Sequence, residues 1–372
     1  MKIGIISNTS WSIYNFREAL IRKLVEKGNE VFVLAPNEGD YKSRIEKWGC
    51  QFVSLNKVSP KSKNPIANLQ FYYEIKRALS LHNLQLVFSF TPKPNIWGSI
   101  AGRHLGVHFI PTINGLGHAF VKHDWLSFIV VKLYKYALKK VNKVIFQNPD
   151  DINFFIQKRI VLPKKAVIVA GSGVDLNKFS PAKNQREDNQ SVRFLYAGRL
   201  IKQKGIVQYL QAATVIKKKF PAVSFQIIGS VSDNPSSIQL SEIQEWIDDE
   251  VVELHEHTDN MAVFLNEIDV VVLPSYYREG IPKILIEACA KELPIITTNC
   301  IGCNQAIKDG YNGFMVQEKN VASLIDAMEK IINCGPLVRQ RMGKNGRRMA
   351  IQRFDEKIIV KEYINLLNQI DN

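Results

Sequence analysis

The sequence predicts an α/β fold made of two doubly wound, Rossmann-like domains. Three observations carry this expectation: short apolar runs alternate with helix-like stretches, the alternation occurs in two series, and a polar segment without periodicity separates them. The length agrees, because 372 residues at roughly 100–200 residues per domain favour two domains over one.

The first series opens with an apolar strand from Lys2 to Ile6, followed by the polar loop SNTSWS. From Asn15 to Lys27, Phe16, Leu20, Ile21, Leu24 and Val25 recur on one face of a helix that Gly28 ends. The next strand, Glu30 to Ala35, stops at Pro36. Similar runs follow at Leu84 to Phe90, Phe109 to Ile113, Lys143 to Phe146 and Ala166 to Val169, which reads as βαβ units around a parallel sheet. Residues 181–191, PAKNQREDNQS, form the expected linker. The second series then runs through strands at Val192 to Tyr196, Val223 to Ile228, Val270 to Leu273 and Pro294 to Thr297, with helices at Gly205 to Lys219 and Pro282 to Lys291. The expected domains are therefore residues 1–180 and 192–353, with an amphipathic C-terminal segment of about 354–372 crossing back to the first.

Composition narrows the class. A hydrophobic fraction of 46% with 23% charged residues excludes a disordered chain. No apolar run approaches the roughly 18 residues of a membrane-spanning helix, and the start, MKIGIISNTS, lacks the pattern of a signal peptide. A cytoplasmic protein is expected. The cysteines, Cys50, Cys289, Cys300, Cys303 and Cys334, are odd in number and sparse, which suits a reducing compartment. Cys300 and Cys303 have a CxxC spacing, but without a second Cys or His pair they read as core or loop thiols.

Charge is unevenly placed. Residues 1–180 hold 26 Lys and Arg against 11 Asp and Glu, a net +15, and the remaining 23 and 24 give −1. A basic half joined to a neutral half suggests that one domain meets an anionic surface. The stretch Trp125 to Lys143 combines an apolar face with Lys132, Lys135, Lys139, Lys140 and Lys143. Such a helix can lie on an anionic membrane or pack its apolar stripe on its own sheet.

Two segments carry the chemistry. In PSYYREGIPKILIEA, residues 274–288, Glu279 and Glu287 are eight residues apart, with Gly280 and Pro282 placed to turn the chain into a helix. A helix N-terminus after a parallel strand offers N–H groups to an anion, and a carboxylate one turn on accepts hydrogen bonds from a vicinal diol. Phosphates plus a ribose satisfy both. In LYAGRLIKQKG, residues 195–205, Gly198 is expected to permit a tight turn, with Arg199 and Lys204 as paired cations for a diphosphate leaving group. For each, ordinary surface charge is the competing reading.

Together these segments resemble the retaining family-4 glycosyltransferases of the two-domain GT-B architecture, with the domains facing across a cleft. That family's donor-domain pattern is G-R-L followed by K-G, then E-G-x-P with a second Glu eight residues after the first, and all of it is present. SYYREGIPKILIEACAKELPIITTN, then Gly302–Cys303 and DGYNGF at 309–314, is similar to enzymes of bacterial capsule, O-antigen and glycan assembly. The resemblance implies that Glu287 binds the nucleotide ribose, with Gly198, Gly280, Ile281 and Pro282 on the donor-binding side. It also implies that Arg199 and Lys204 bind the diphosphate and that Glu279 lies at the donor sugar. His118, in the loop NGLGHAF, would contact a donor or acceptor hydroxyl, with His123 and Asp124 as competitors for that role. Three positions depart from the family: SNTSWS stands where many members have a glycine pair, Lys283 where an Arg is common, and Gln305 where a Glu is common.

The expected activity is transfer of a hexose or N-acetylhexosamine from a UDP-sugar, with retention, to a polyprenyl-diphosphate-linked saccharide. The expected location is peripheral, on the inner face of the bacterial cytoplasmic membrane. No Asp-x-Asp motif occurs, so no metal or other cofactor is required for this role. Two rivals remain at this stage. A sugar-nucleotide epimerase on the same architecture would act without an acceptor; a nucleic-acid-binding protein is suggested by pI ≈ 9.4 but lacks any recognition motif.

Overall fold

A computed structural model describes residues 1–57, 64–116, 125–182, 191–231, 236–256, 258 and 260–371. The chain divides into two units, Met1–Ser172 with Glu356–Asn372, and Gly173–Asp355. Each unit is an open parallel sheet with helices on its faces.

In the first unit the described strands are β1 (Lys2–Ile6), β2 (Glu30–Ala35), β3 (Gln51–Ser54), β4 (Leu86–Phe90), β5 (His108–Ile113), β6 (Val144–Phe146) and β7 (Ala166–Ile168). Their order is β3-β2-β1-β4-β5-β6-β7, and every pairing is parallel. One face packs Phe71, Ile75, Leu79, Phe109 and Phe155; the other packs Ile13, Leu20, Ile21, Leu24 and Tyr363. A parallel sheet covered on both faces needs strands that are apolar throughout, which is why Leu86–Phe90 is buried at every residue.

The second unit repeats the plan. β8 (Arg193–Ala197), β9 (Ser224–Ile228), β10 (Glu253–His255), β11 (Val270–Leu273), β12 (Ile295–Thr298) and β13 (Gly313–Val316) lie in the order β10-β9-β8-β11-β12-β13. All of these pairings are parallel. In both sheets the order reverses beside the first strand, at β1/β4 and at β8/β11, and ligands of doubly wound folds bind outside the carboxyl ends of strands at such a point.

The boundary falls earlier than the sequence suggests. Residues 173–180, expected in the first domain, belong to the second unit, because Val174 bridges Asp355 and the Arg347 guanidinium donates to the carbonyls of Leu176 (3.1 Å) and Phe179 (3.0 Å). Residues 183–190 of the expected linker lie outside the described residues. The helix Glu356–Asp371 belongs to the first unit, where it packs on the helix Glu18–Glu26 and sets Tyr363 edge-on to Phe88. With that segment included, the first unit holds 27 Lys and Arg against 13 Asp and Glu, and the second 22 against 22. The whole net charge of +14 therefore resides in the first unit.

The helix expected from Asn15 to Lys27 is two helices, Ser10–Phe16 and Glu18–Glu26, broken at Arg17. It starts earlier than its apolar pattern does because Thr9 caps it, its side chain accepting from the Ser12 N–H.

Candidate active site

The loops that follow β8, β11 and β12 share the carboxyl edge of the second sheet, and backbone contacts fasten them together. Gly205, with φ +81°, carries no side chain because a Cβ there would stand 2.2 Å from the carbonyl oxygen of Pro274. The Tyr276 N–H donates to the carbonyl of Gln203 at 2.8 Å, which ties the loop after β11 to the loop after β8. Thr297 and Thr298, at the end of β12, donate from their hydroxyls to the carbonyls of Leu273 and Ser275. Gly302, with φ +97°, lies flat on the next stretch: its Cβ would be 2.0 Å from the Gly280 oxygen and 2.5 Å from that of Glu279. The stretch from Leu273 to Tyr276 is thus held by the loop after β8 and the end of β12, and Gly302 packs against Glu279 and Gly280.

On this scaffold Lys204 is 7% exposed, and its Nζ is hydrogen-bonded and ion-paired to Glu279 Oε1. The sequence treats these as a cation for phosphate and a carboxylate for sugar; the structure joins them in one largely buried pair. Arg199 is exposed, with its guanidinium 5.8 Å from the centroid of the Tyr277 ring. Its backbone is held by the buried Tyr196, whose hydroxyl donates to the Arg199 carbonyl at 3.1 Å.

The helix Lys283–Ala290 begins at Pro282, an N-cap with φ −61° and ψ 127° and no side-chain hydrogen bond. The positive end of the helix dipole at this start favours an anion. Glu287, in the second turn, is 7% exposed. Burial pushes its carboxyl above the usual glutamate range, and the Lys283 and Lys178 ammonium groups pull it back, Lys283 Nζ lying 3.9 Å from Oε1. Ile281 and Pro282 are buried beside it.

The structure therefore gathers Gly198, Arg199, Lys204, Glu279, Gly280, Ile281, Pro282 and Glu287 in the loops and helix start at one sheet edge of one unit. One expectation changes: Gly198 is not the turn glycine. Its φ is not positive, and a Cβ would meet Leu273 and the Tyr196 hydroxyl at an ordinary van der Waals distance of 3.9 Å, so a side chain is tolerated there and Gly205 makes the turn. His118, His123 and Asp124 lie outside the described residues. Ser275, Thr297, Thr298 and Gly302 escape sequence reasoning as site-builders, because their partners are carbonyls of other loops. All five cysteines are free thiols; burial pushes Cys303 and Cys289 up to about 12, as suits core groups. Among the described residues no group of three or more His, Cys, Asp or Glu could hold a metal ion.

Comparison with known proteins places both halves. The signature described as "Glycosyl transferases group 1" matches residues 178–349, and that described as "Glycosyl transferase 4-like" matches residues 2–148. The chain is 27% identical over 386 aligned residues to N,N'-diacetylbacillosaminyl-diphospho-undecaprenol alpha-1,3-N-acetylgalactosaminyltransferase of Campylobacter jejuni, covering 100% of this chain and 99% of that one. It is 26% identical to UDP-Gal:alpha-D-GlcNAc-diphosphoundecaprenol alpha-1,3-galactosyltransferase of Escherichia coli, over 77% of this chain and 78% of the relative. Among solved structures, an Anabaena protein in complex with UDP-glucose superposes with a TM-score of 0.81 at 15% identity, covering 99% of this chain and all of the other. A glycosyltransferase from Rickettsia africae matches with a TM-score of 0.81 at 18% identity, over 99% of this chain and 98% of that one.

Proposed function

Because the chain belongs to the glycosyltransferase family whose two signatures its halves match, we propose that it moves a hexose or N-acetylhexosamine from a UDP-sugar to an undecaprenyl-diphosphate-linked saccharide, in the assembly of a surface polysaccharide or glycan. The observation that carries this reading is the convergence, at the switch point of the second sheet, of an uncapped helix start, a buried carboxylate one turn along it, and the cations Arg199 and Lys204. Relatives that use diphospho-undecaprenol acceptors support the acceptor class, one of them along the full chain.

In this proposal Glu287 accepts hydrogen bonds from the ribose diol, while the N–H groups after Pro282 and the guanidinium of Arg199 face the diphosphate. Gly198 and Gly280 leave room for it. Lys204, buried against Glu279, contributes a fixed positive end toward the same diphosphate, and Glu279 faces the donor sugar. As the bond from the anomeric carbon to the diphosphate oxygen breaks, the electron pair leaves with the diphosphate, where these cations stabilise it. The acceptor hydroxyl forms its bond on the same face, and its proton passes to the departing phosphate oxygen, which retains configuration without a covalent intermediate.

The acceptor enters along the basic first unit. The helix Trp125–Ala137 buries Tyr134 and Ala137 but leaves Trp125 75% and Phe128 61% exposed, next to exposed Lys132 and Lys135. The apolar stripe is thus divided between its own core and the outside, which favours an anionic lipid surface as the partner. Among the described residues no helix is long and apolar enough to cross a membrane, so attachment to the inner membrane face is peripheral in this proposal. The test is a panel of nucleotide sugars offered with undecaprenyl-diphosphate-linked sugars, with the product anomer read by NMR. Conversion of a UDP-sugar in the absence of acceptor, or an inverted product, overturns the reading.

A further inference from the structure

Among the described residues of the first unit, Arg17 is a buried cation without an acid beside it. It sits at the break between the helices Ser10–Phe16 and Glu18–Glu26 and is only 5% exposed. Its guanidinium lies 3.8 Å from the centroid of the Phe90 ring. Among the described residues no carboxylate is paired with it; the adjacent Glu18 is taken by Arg22 at 2.8 Å, and Glu38 accepts from the N–H and hydroxyl of Ser10. Burial lowers its pKa from the ordinary arginine value. Buried charges are ordinarily paired, so a site that keeps one unpaired awaits an anion.

The place matters as much as the charge. Phe90 is the last residue of β4, which neighbours β1 where the strand order of the first sheet reverses. The next residue, Thr91, has φ +73°; among the described residues it is the only β-branched residue in the left-handed region. Such strain collects at binding sites. The segment Pro94–Gly98 then forms a π-helical turn. This turn is held by its own buried chain of hydrogen bonds, Ser89 to Asn95 (2.8 Å), Asn95 to the Thr112 carbonyl (2.8 Å), and Thr112 with Tyr363 (3.2 Å). None of these bonds uses the Arg17 guanidinium, which meets that chain of hydrogen bonds through its electrostatic interaction with Tyr363.

We propose that Arg17 binds a phosphate oxygen of a diphosphate-bearing substrate at the carboxyl edge of β1 and β4. The inference deepens the transferase reading and rests on it for the identity of the diphosphate, which the lipid-linked acceptor carries. A planar guanidinium stacked on an aromatic ring keeps its N–H edge for a forked contact, which phosphate matches.

The test is Arg17→Met in the full chain, since methionine can lie on Phe90 without charge. The expected result is a rise of about tenfold or more in KM for the acceptor, with a smaller change in kcat and an unchanged or higher Tm. A change in acceptor KM with UDP affinity intact supports the contact, and a change in UDP affinity with acceptor KM intact overturns it. Unchanged KM for both, or a lower Tm with unchanged KM, overturns the proposal by making Arg17 structural. If the methionine variant does not fold, Arg17→Lys keeps the charge but loses the fork, and unchanged KM values in that variant are equally fatal. Inorganic pyrophosphate gives an arm that needs no acceptor: its thermal shift of the wild type should shrink in the variant, and an equal shift refutes the site. Loss of that shift with no sugar transfer in the wild type would overturn the acceptor reading while leaving Arg17 as an anion site.

Discussion

Replacing Glu287 by Gln removes one charge from the proposed nucleotide site and keeps its shape. The carboxyl is 7% exposed and its pKa is raised by burial, so the folded chain holds a proton more tightly there than the unfolded chain does. Between the ordinary glutamate value and the raised one, the native state binds more protons, and stability therefore falls as pH rises through that window. The ribose diol needs the ionised form, because hydroxyl groups donate to a carboxylate. Donor binding should thus release a proton and weaken as pH falls through the same window. Two hydrogen bonds to a charged acceptor contribute about 1.5–3 kcal/mol each, and to a neutral amide about 0.5–1.5 kcal/mol each. The loss on Glu287→Gln is then about 2–3 kcal/mol, or about 30–150-fold in affinity for UDP. The unliganded variant should melt no lower than the wild type at neutral pH, since a desolvated charge is gone and Lys283, partly exposed, stays hydrated. Isothermal titration of UDP between pH 5 and pH 8, with thermal melts of both proteins, checks each part. UDP affinity within about twofold of wild type would refute the assignment.

Gly302→Ala should cost about 2–4 kcal/mol of stability, because a methyl group at φ +97° would meet the oxygens of Glu279 and Gly280; chemical denaturation measures it, and an unchanged midpoint refutes it. Gly198→Ala adds a methyl group at ordinary van der Waals distance from its neighbours, so its Tm should stay within about one degree while UDP binding weakens. Arg199→Ala, at an exposed position, should leave stability within about 0.5 kcal/mol but lower kcat by about two orders of magnitude or more, as loss of one preorganised donor does. Changing the exposed Lys132, Lys135, Lys139 and Lys140 together to Glu should reduce binding to anionic liposomes and transfer to a long-chain acceptor, with UDP binding intact; vesicle binding equal to wild type defeats the surface assignment.

Much of this was legible in the linear chain. Runs such as Val270–Leu273 are buried at every residue, and a fully buried parallel strand announces itself as an unbroken apolar run. β3 and β10 did not, because Gln51–Ser54 and Glu253–His255 lie at sheet edges, where half-exposed strands tolerate polar residues. Spacing also singled out Glu279, Glu287, Arg199 and Lys204 as candidates, since local turn chemistry fixes which residues flank a helix start. Spacing could not say that Lys204 and Glu279, 75 positions apart, form one ion pair, or that Gly302 is the floor beneath Glu279. Nor could it distinguish Arg17 from a surface charge. Periodicity records which side of each element is buried, but the identity of the neighbour on that side depends on strand order, and only the folded sheet brings Phe90 under the guanidinium.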